Sequence, residues 1–201
     1  MNKFIVLEGL DGVGKTTLAK GLAKELDGEY MSTPGEPFSD CRRFIIDAMG
    51  DDQLGRALFY ASTVSVQGKR ALEQVSSGRC VIMDRYWGST VAYAKARGVE
   101  VDLEALTPGL VMPDLVVLIT LDEEVRRSRL LQRKISSEDE ETLCTDFTRH
   151  VISELAPRCQ LRVNITGLHE KAAIEHLAIV IRAYFKEAKM CSGEQLLSCG
   201  L

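Results

Sequence analysis

Apolar residues gather in five short runs along the chain, at Lys3 to Leu7, Glu29 to Ser32, Cys80 to Met83, Leu115 to Leu121 and Leu161 to Ile165, with longer amphipathic stretches between them. Strands alternating with helical patterns predict βαβ units, and therefore an α/β fold in which a five-stranded parallel sheet carries helices on both faces. Val81-Ile82-Met83 and Leu115-Val116-Val117-Leu118-Ile119 are apolar at every position. That suits strands covered on both sides. The first helix is expected from Lys15 to about Leu26, with Leu18, Leu22 and Leu26 on one stripe and Gly28 beyond its end. Others are expected from near Ser39, from Asp51 to Val75, after an Asp122 cap, over Phe147 to Leu155, and from Lys171 to Lys186. Cys191 to Leu201 shows no pattern and reads as a frayed tail.

The turn between the first strand and the first helix is Gly9-Leu10-Asp11-Gly12-Val13-Gly14-Lys15-Thr16, a GxxxxGK[ST] phosphate loop in its proper context. Its glycines let backbone N–H groups ring the phosphates of a nucleoside triphosphate, and the helix adds its positive end. Lys15 then reaches the β- and γ-phosphates, and the Thr16 hydroxyl can ligate Mg²⁺. Gly9, Asp11, Gly12, Val13, Gly14, Lys15, Thr16 and Thr17 are the expected nucleotide contacts. The fold is thereby a P-loop NTPase, with the phosphate acceptor still open.

Ligands of such sheets bind at the carboxyl ends of the strands. Asp84 and Arg85 stand immediately after the third strand and are expected to act there. The helix capped by Asp122 carries Arg126, Arg127, Arg129 and Arg133, spaced so that several share a face. Arg126 and Arg127 read as a solvated face paired with Glu123, Glu124 and Glu138, whereas Arg129 and Arg133 lean towards phosphate contact. They adjoin the polar segment Ile135 to Glu141, which reads as a short mobile lid.

Composition narrows the picture further. The 201 residues, 45% hydrophobic and 27% charged, suit one globular domain, taken as residues 1–189 with a lid at about 133–143 and a tail at 190–201. A net charge of −4 with only local basic clusters argues against polynucleotide binding. The six cysteines form no CxxC pair and read as reduced, mostly buried thiols, and the isolated histidines as no metal site. No apolar run approaches the ~20 residues of a membrane helix. Cleavage of a secretory leader at Phe4 to Leu7 would damage the phosphate loop, so the expected location is the cytoplasm.

Phe4 to Thr17, Leu58-Phe59-Tyr60-Ala61, Asp84-Arg85-Tyr86, Ser89-Thr90-Val91-Ala92-Tyr93 and Pro113-Asp114-Leu115-Val116 together resemble the thymidylate kinase family, in register from Lys3 to about Phe185. The resemblance implies a nucleoside monophosphate kinase that moves the γ-phosphoryl of Mg-ATP onto a pyrimidine nucleoside 5′-monophosphate, most readily dTMP. It also implies a homodimer and roles for single residues. Asp11 faces the acceptor's sugar, Asp84 lies by Mg²⁺ and the phosphates, Arg85 holds the acceptor phosphate, Phe59 stacks on the base, and Ser89 and Tyr93 belong to the substrate site. Phosphoryl transfer asks mainly for positioning and positive charge, which such a set provides.

The chain departs from the family pattern at several points. Position 12 is Gly where one branch carries an arginine, and the lid Ile135 to Glu141 is acidic with no arginine, leaving Arg129, Arg133, Lys134 and Arg149 as sources of that charge. Thr63 stands where thymidylate kinases place an arginine against the thymine carbonyl, and a threonine does not select thymine over cytosine. The loop Pro34-Gly35-Glu36-Pro37, with Arg42 after it as a second acceptor-phosphate ligand, also resembles the mitochondrial-type UMP/CMP kinases. UMP, CMP, dUMP and dCMP therefore stand as alternative acceptors, beside a non-catalytic nucleotide-binding protein. A GTPase switch would need a late NKxD reader that the chain lacks, and Asp52-Gln53-Leu54-Gly55 follows no strand.

Overall fold

The computed structural model describes residues 2–132 and 140–198, with side chains to residue 188. Five strands, β1 (Phe4–Glu8), β2 (Gly28–Ser32), β3 (Cys80–Asp84), β4 (Leu115–Thr120) and β5 (Leu161–Asn164), form one parallel sheet in the order β2-β3-β1-β4-β5. The helices are α1 (Lys15–Glu25), α2 (Phe38–Met49), α3 (Gln53–Ser76), α4 (Trp87–Ala96), α5 (Glu123–Leu131), α6 (Thr145–Leu155) and α7 (Glu170–Ser198).

Alternation along the strands sorts the core into two layers. Ile5, Leu7 and Ile82 face Leu18 and Leu22 of α1 and Leu177 and Ile181 of α7, while Phe4, Val6, Val81 and Met83 face Ala57, Ala61 and Val64 of α3 and Val91 of α4. Both faces are covered, so β1 and β3 are buried at every residue. The expected elements are thus present, and apart from the C-terminal end of α7 their ends fall within about two residues of expectation.

Two readings need correction. The segment from Cys191 continues α7 to Ser198, so it is helical there rather than without structure. Cys41 and Cys144 are exposed, so of the four described thiols Cys80 alone is fully buried. Asp52 caps α3, its carboxylate accepting from the Gly55 N–H at 2.8 Å, which accounts for the Asp52-to-Gly55 pattern as a helix start. Among the described residues no helix is long and apolar enough to cross a membrane.

Because β1 and β3 are central and adjacent, the loops after Glu8 and Asp84 emerge side by side. A crevice at those carboxyl ends is where the order reverses its direction of travel from β1.

Candidate active site

The phosphate loop wraps the start of α1. Gly14 is the N-cap at φ +95° and supplies no side-chain acceptor, so the first-turn N–H groups stay available to an anion. The loop bounds a 280 Å³ cavity with Gly12, Gly14, Lys15, Thr16 and Thr17 on one side and Asp84, Arg85 and Arg129 opposite. Gly9 and Val13 are buried and shape the loop from behind. Lys15 Nζ donates to the Leu10 carbonyl at 2.8 Å. Burial first, then the Arg85 charge, lowers its pKa to about 8 against the opposing pull of Asp11 and Asp84.

Thr16 Oγ1 donates to Asp84 Oδ2 at 2.5 Å, while Asp84 Oδ1 is buried and has no hydrogen-bond partner. An unmet carboxylate oxygen beside a phosphate-loop hydroxyl is a donor set that suits a hard divalent cation, Mg²⁺ above all, which keeps waters and phosphates as its other ligands.

Arg85 sits at φ +64°, a left-handed conformation that a non-glycine residue adopts only when its surroundings over-determine it. They do so here. Its N–H donates to the Leu7 carbonyl at 3.0 Å, its carbonyl accepts from Thr33 Oγ1 at 3.0 Å, and its guanidinium bridges Asp11 Oδ1 at 2.5 Å and Ser89 Oγ at 2.9 Å. Ser89 Oγ in turn donates to Glu8, a fully buried carboxylate that also accepts from the Tyr86 and Ser89 N–H groups. Tyr93 completes the corner by donating to Asp11 Oδ2 at 3.1 Å. Burial alone would raise the Asp11 pKa, yet the charges of Arg85 and Lys15 and the bonds from Arg85 and Tyr93 hold it well below the usual carboxylate range. Glu8 was not anticipated; its only signal is a carboxylate closing an otherwise apolar strand.

A second, larger cavity of 410 Å³ adjoins the first, and Asp11, Thr16, Asp84 and Arg85 line both. Two molecules in these cavities would meet across that shared wall. Arg42 lines the larger cavity as expected, with Nε donating to Tyr60 Oη at 2.8 Å, and so do Ser89 and Tyr93. Phe59 and Thr63 do not. Thr63 is fully buried with its hydroxyl on the Tyr60 carbonyl, and Phe59 lies edge-on to Tyr60. The face of α3 turned to the cavity carries Gln53, Ala57 and Tyr60 instead. Arg97 is another unanticipated wall residue, paired through Nε and Nη2 with Glu141 at 2.9 and 2.7 Å, and both Arg97 and Arg85 lie over the Tyr93 ring.

The α5 arginines divide differently from expectation. Arg126, read as solvated, is 1% exposed, pairing with Glu123 and donating to the Asp11 carbonyl at 2.8 Å and the Thr142 carbonyl at 2.7 Å. Arg127 donates to the Leu143 carbonyl. These bonds tether residues 142 and 143, at the C-terminal end of the lid, to α5, which a solvated face would not do. Arg129 lies 3.4 Å from the Val13 carbonyl and faces the phosphate-loop cavity. Arg133, Lys134 and most of the lid fall outside the described residues, while Arg149 pairs with Asp146 on an exposed face. Gly12, at φ +88°, is pressed against α5, where a Cβ would come within 2.8 Å of Leu130 Cγ. An arginine has no room there.

The five-stranded order and the loop-plus-acceptor geometry define a P-loop phosphotransferase acting on nucleotides. Comparison with known proteins gives the family: the thymidylate kinase model matches residues 7–173, and the chain belongs to the thymidylate kinase family. A probable thymidylate kinase 1 of Saccharolobus solfataricus is 32% identical over 144 residues, covering 69% of this chain and 76% of that protein. A probable thymidylate kinase of Thermococcus gammatolerans is 34% identical over 155 residues, covering 69% and 74%. Among solved structures, the fold is similar to Candida albicans thymidylate kinase (TM-score 0.73, 19% identity, 90% of this chain and 92% of that one). It is also similar to the enzyme of Ehrlichia chaffeensis (TM-score 0.65, 22% identity, 90% and 98%).

Proposed function

We propose that the protein transfers the γ-phosphoryl group of ATP to the 5′-phosphate of dTMP. The observation that carries this reading is the pair of adjoining cavities with a common wall of Asp11, Thr16, Asp84 and Arg85. One cavity has the phosphate loop for the donor, and the other has the size and mixed lining of a nucleotide site. The thymidylate kinases among its relatives favour dTMP over the uridine and cytidine acceptors raised by the Pro34 to Pro37 loop.

In this reading Lys15 and the loop N–H groups bind the donor phosphates, and Arg85, locked by Asp11 and Ser89, aligns the acceptor phosphate for in-line attack. Thr16 and Asp84 hold Mg²⁺, which supplies neutralisation of charge developing on the transferred group. Arg129 stands over the loop as the described arginine able to add positive charge on that side. Arg42, Tyr60 and Tyr93 frame the acceptor. We read residues 1–189 as one kinase domain with its lid at about 133–143, working in the cytoplasm. Exposed Leu54, Leu58 and Leu72 along α3 support homodimerisation, which light scattering of the purified protein tests.

A coupled ADP-release assay with Mg-ATP and dTMP, dUMP, dCMP, UMP, CMP, AMP and GMP tests the reaction. Preferred turnover of dTMP is the expected result. Preferred turnover of a cytidine or uridine nucleotide would overturn the acceptor assignment, and ATP binding without transfer to any of them would overturn the enzyme itself.

A further inference from the structure

The α3 wall of the larger cavity holds a polar group that the protein leaves unmet. Gln53 lines the cavity, and its Oε1 is buried without a hydrogen bond. Buried side-chain acceptors are almost always satisfied in folded proteins, so an orphan on a cavity wall marks a place where a bound molecule completes the bonding.

The lining shows which part of an acceptor this wall meets. Its phosphate belongs at Asp84 and Arg85, which the two cavities share, whereas Gln53, Ala57 and Tyr60 line the larger cavity alone, on successive turns of α3. Tyr60 Oη is already engaged by Arg42. Ala57 has no polar group beyond its backbone. Gln53 is therefore the α3 side chain in this wall with an acceptor still to satisfy, and an amide carries a donor beside it.

We propose that Gln53 reads the edge of the acceptor's base, its Oε1 accepting the N3–H of thymine while its Nε2 donates to the adjoining carbonyl. Amide and imide match donor to acceptor in that pairing. The assignment rests on the acceptor being a pyrimidine nucleotide, as argued above. It moves base recognition away from Thr63, which is sealed in the core, to the first turn of the same helix.

The test measures calorimetric binding of dTMP and of N3-methyl-dTMP to the intact protein and to Gln53→Ala and Gln53→Leu, with dTMP turnover and thermal midpoints recorded in parallel. Wild type is expected to prefer dTMP by roughly 10- to 100-fold, since the methylated base leaves the amide oxygen unmet. Both variants should bring the two ligands within about threefold of each other, because the acceptor that distinguishes them is gone. Variants that fold normally and keep the wild-type ratio would overturn the assignment while dTMP turnover upholds the reaction. A wild type that binds both ligands equally overturns it as well. A wild type that neither binds nor phosphorylates dTMP removes the acceptor reading and this inference with it.

Discussion

The two ends of the acceptor cavity are built on opposite principles. At the phosphate end Arg85 is held through its N–H, its carbonyl and its guanidinium, and Asp11 takes bonds from both Arg85 and Tyr93. At the α3 end Gln53 carries a buried amide oxygen with no partner. Groups that must stabilise charge in every cycle gain from being fixed before the substrate arrives, because reorganisation then costs nothing at the moment of transfer. Groups that recognise a base gain from being left unmet, because the correct base alone relieves them. One cavity thus pairs a finished corner with an unfinished wall.

The sharpest way to break the finished corner is to remove its charges. Lys15→Ala and Arg85→Ala should each lower kcat by about 10³ or more in the ADP-release assay, the first with a thermal midpoint close to wild type and the second with a lower one, because Asp11 loses its partner. Losses under tenfold would mean that neither side chain touches the transferring group. Next comes the support behind Arg85. Glu8→Gln and Ser89→Ala should lower kcat/KM for dTMP by roughly 10- to 100-fold and leave KM for ATP within about threefold, because they loosen the acceptor side of the shared wall. Equal damage to ATP binding would show that Glu8 supports the whole phosphate loop.

Arg97→Ala tests the junction between the cavity and the C-terminal end of the lid. Losing its two hydrogen bonds to Glu141 Oε2 should raise KM for dTMP by about fivefold to tenfold, with Glu141→Gln giving a similar shift. If the two effects simply add in the double variant, the pair is not coupled. The effect that is smallest near neutral pH is the titration of Lys15. A lysine with a pKa of about 8 is charged below that pH and neutral above it, so kcat/KM for ATP should be flat to about pH 8 and then fall about tenfold per unit. A break nearer the ordinary lysine value would mean that Lys15 is more solvated than its burial indicates.

Much of this molecule was legible in the amino-acid order. The five strands, the phosphate loop and Asp84-Arg85 announce themselves, because buried parallel strands are continuously apolar and glycines must sit where the backbone turns back on itself. Rotation about a helix axis was not legible. Phe59 and Tyr60 differ by about 100° of helix azimuth, and the choice between them depends on how α3 packs against β3 and α4. Arg126 escaped for another reason: an arginine on a charge-rich helix reads as solvated, and only the approach of the Asp11 and Thr142 carbonyls makes its burial affordable. Arg97 and Glu141 are far apart in sequence, so no local pattern joins them.

The contact between Gly12 and α5 fixes what position 12 can hold. With Leu130 Cγ 2.8 Å and Arg126 Cγ 3.2 Å from where a Cβ would stand, the loop and the helix occupy one shared volume. Trimming the helix side chains would not open that volume, because the Arg126 carbonyl oxygen lies 3.0 Å from the same point and the loop holds a left-handed φ of +88° there, so position 12 admits glycine whatever stands at 130.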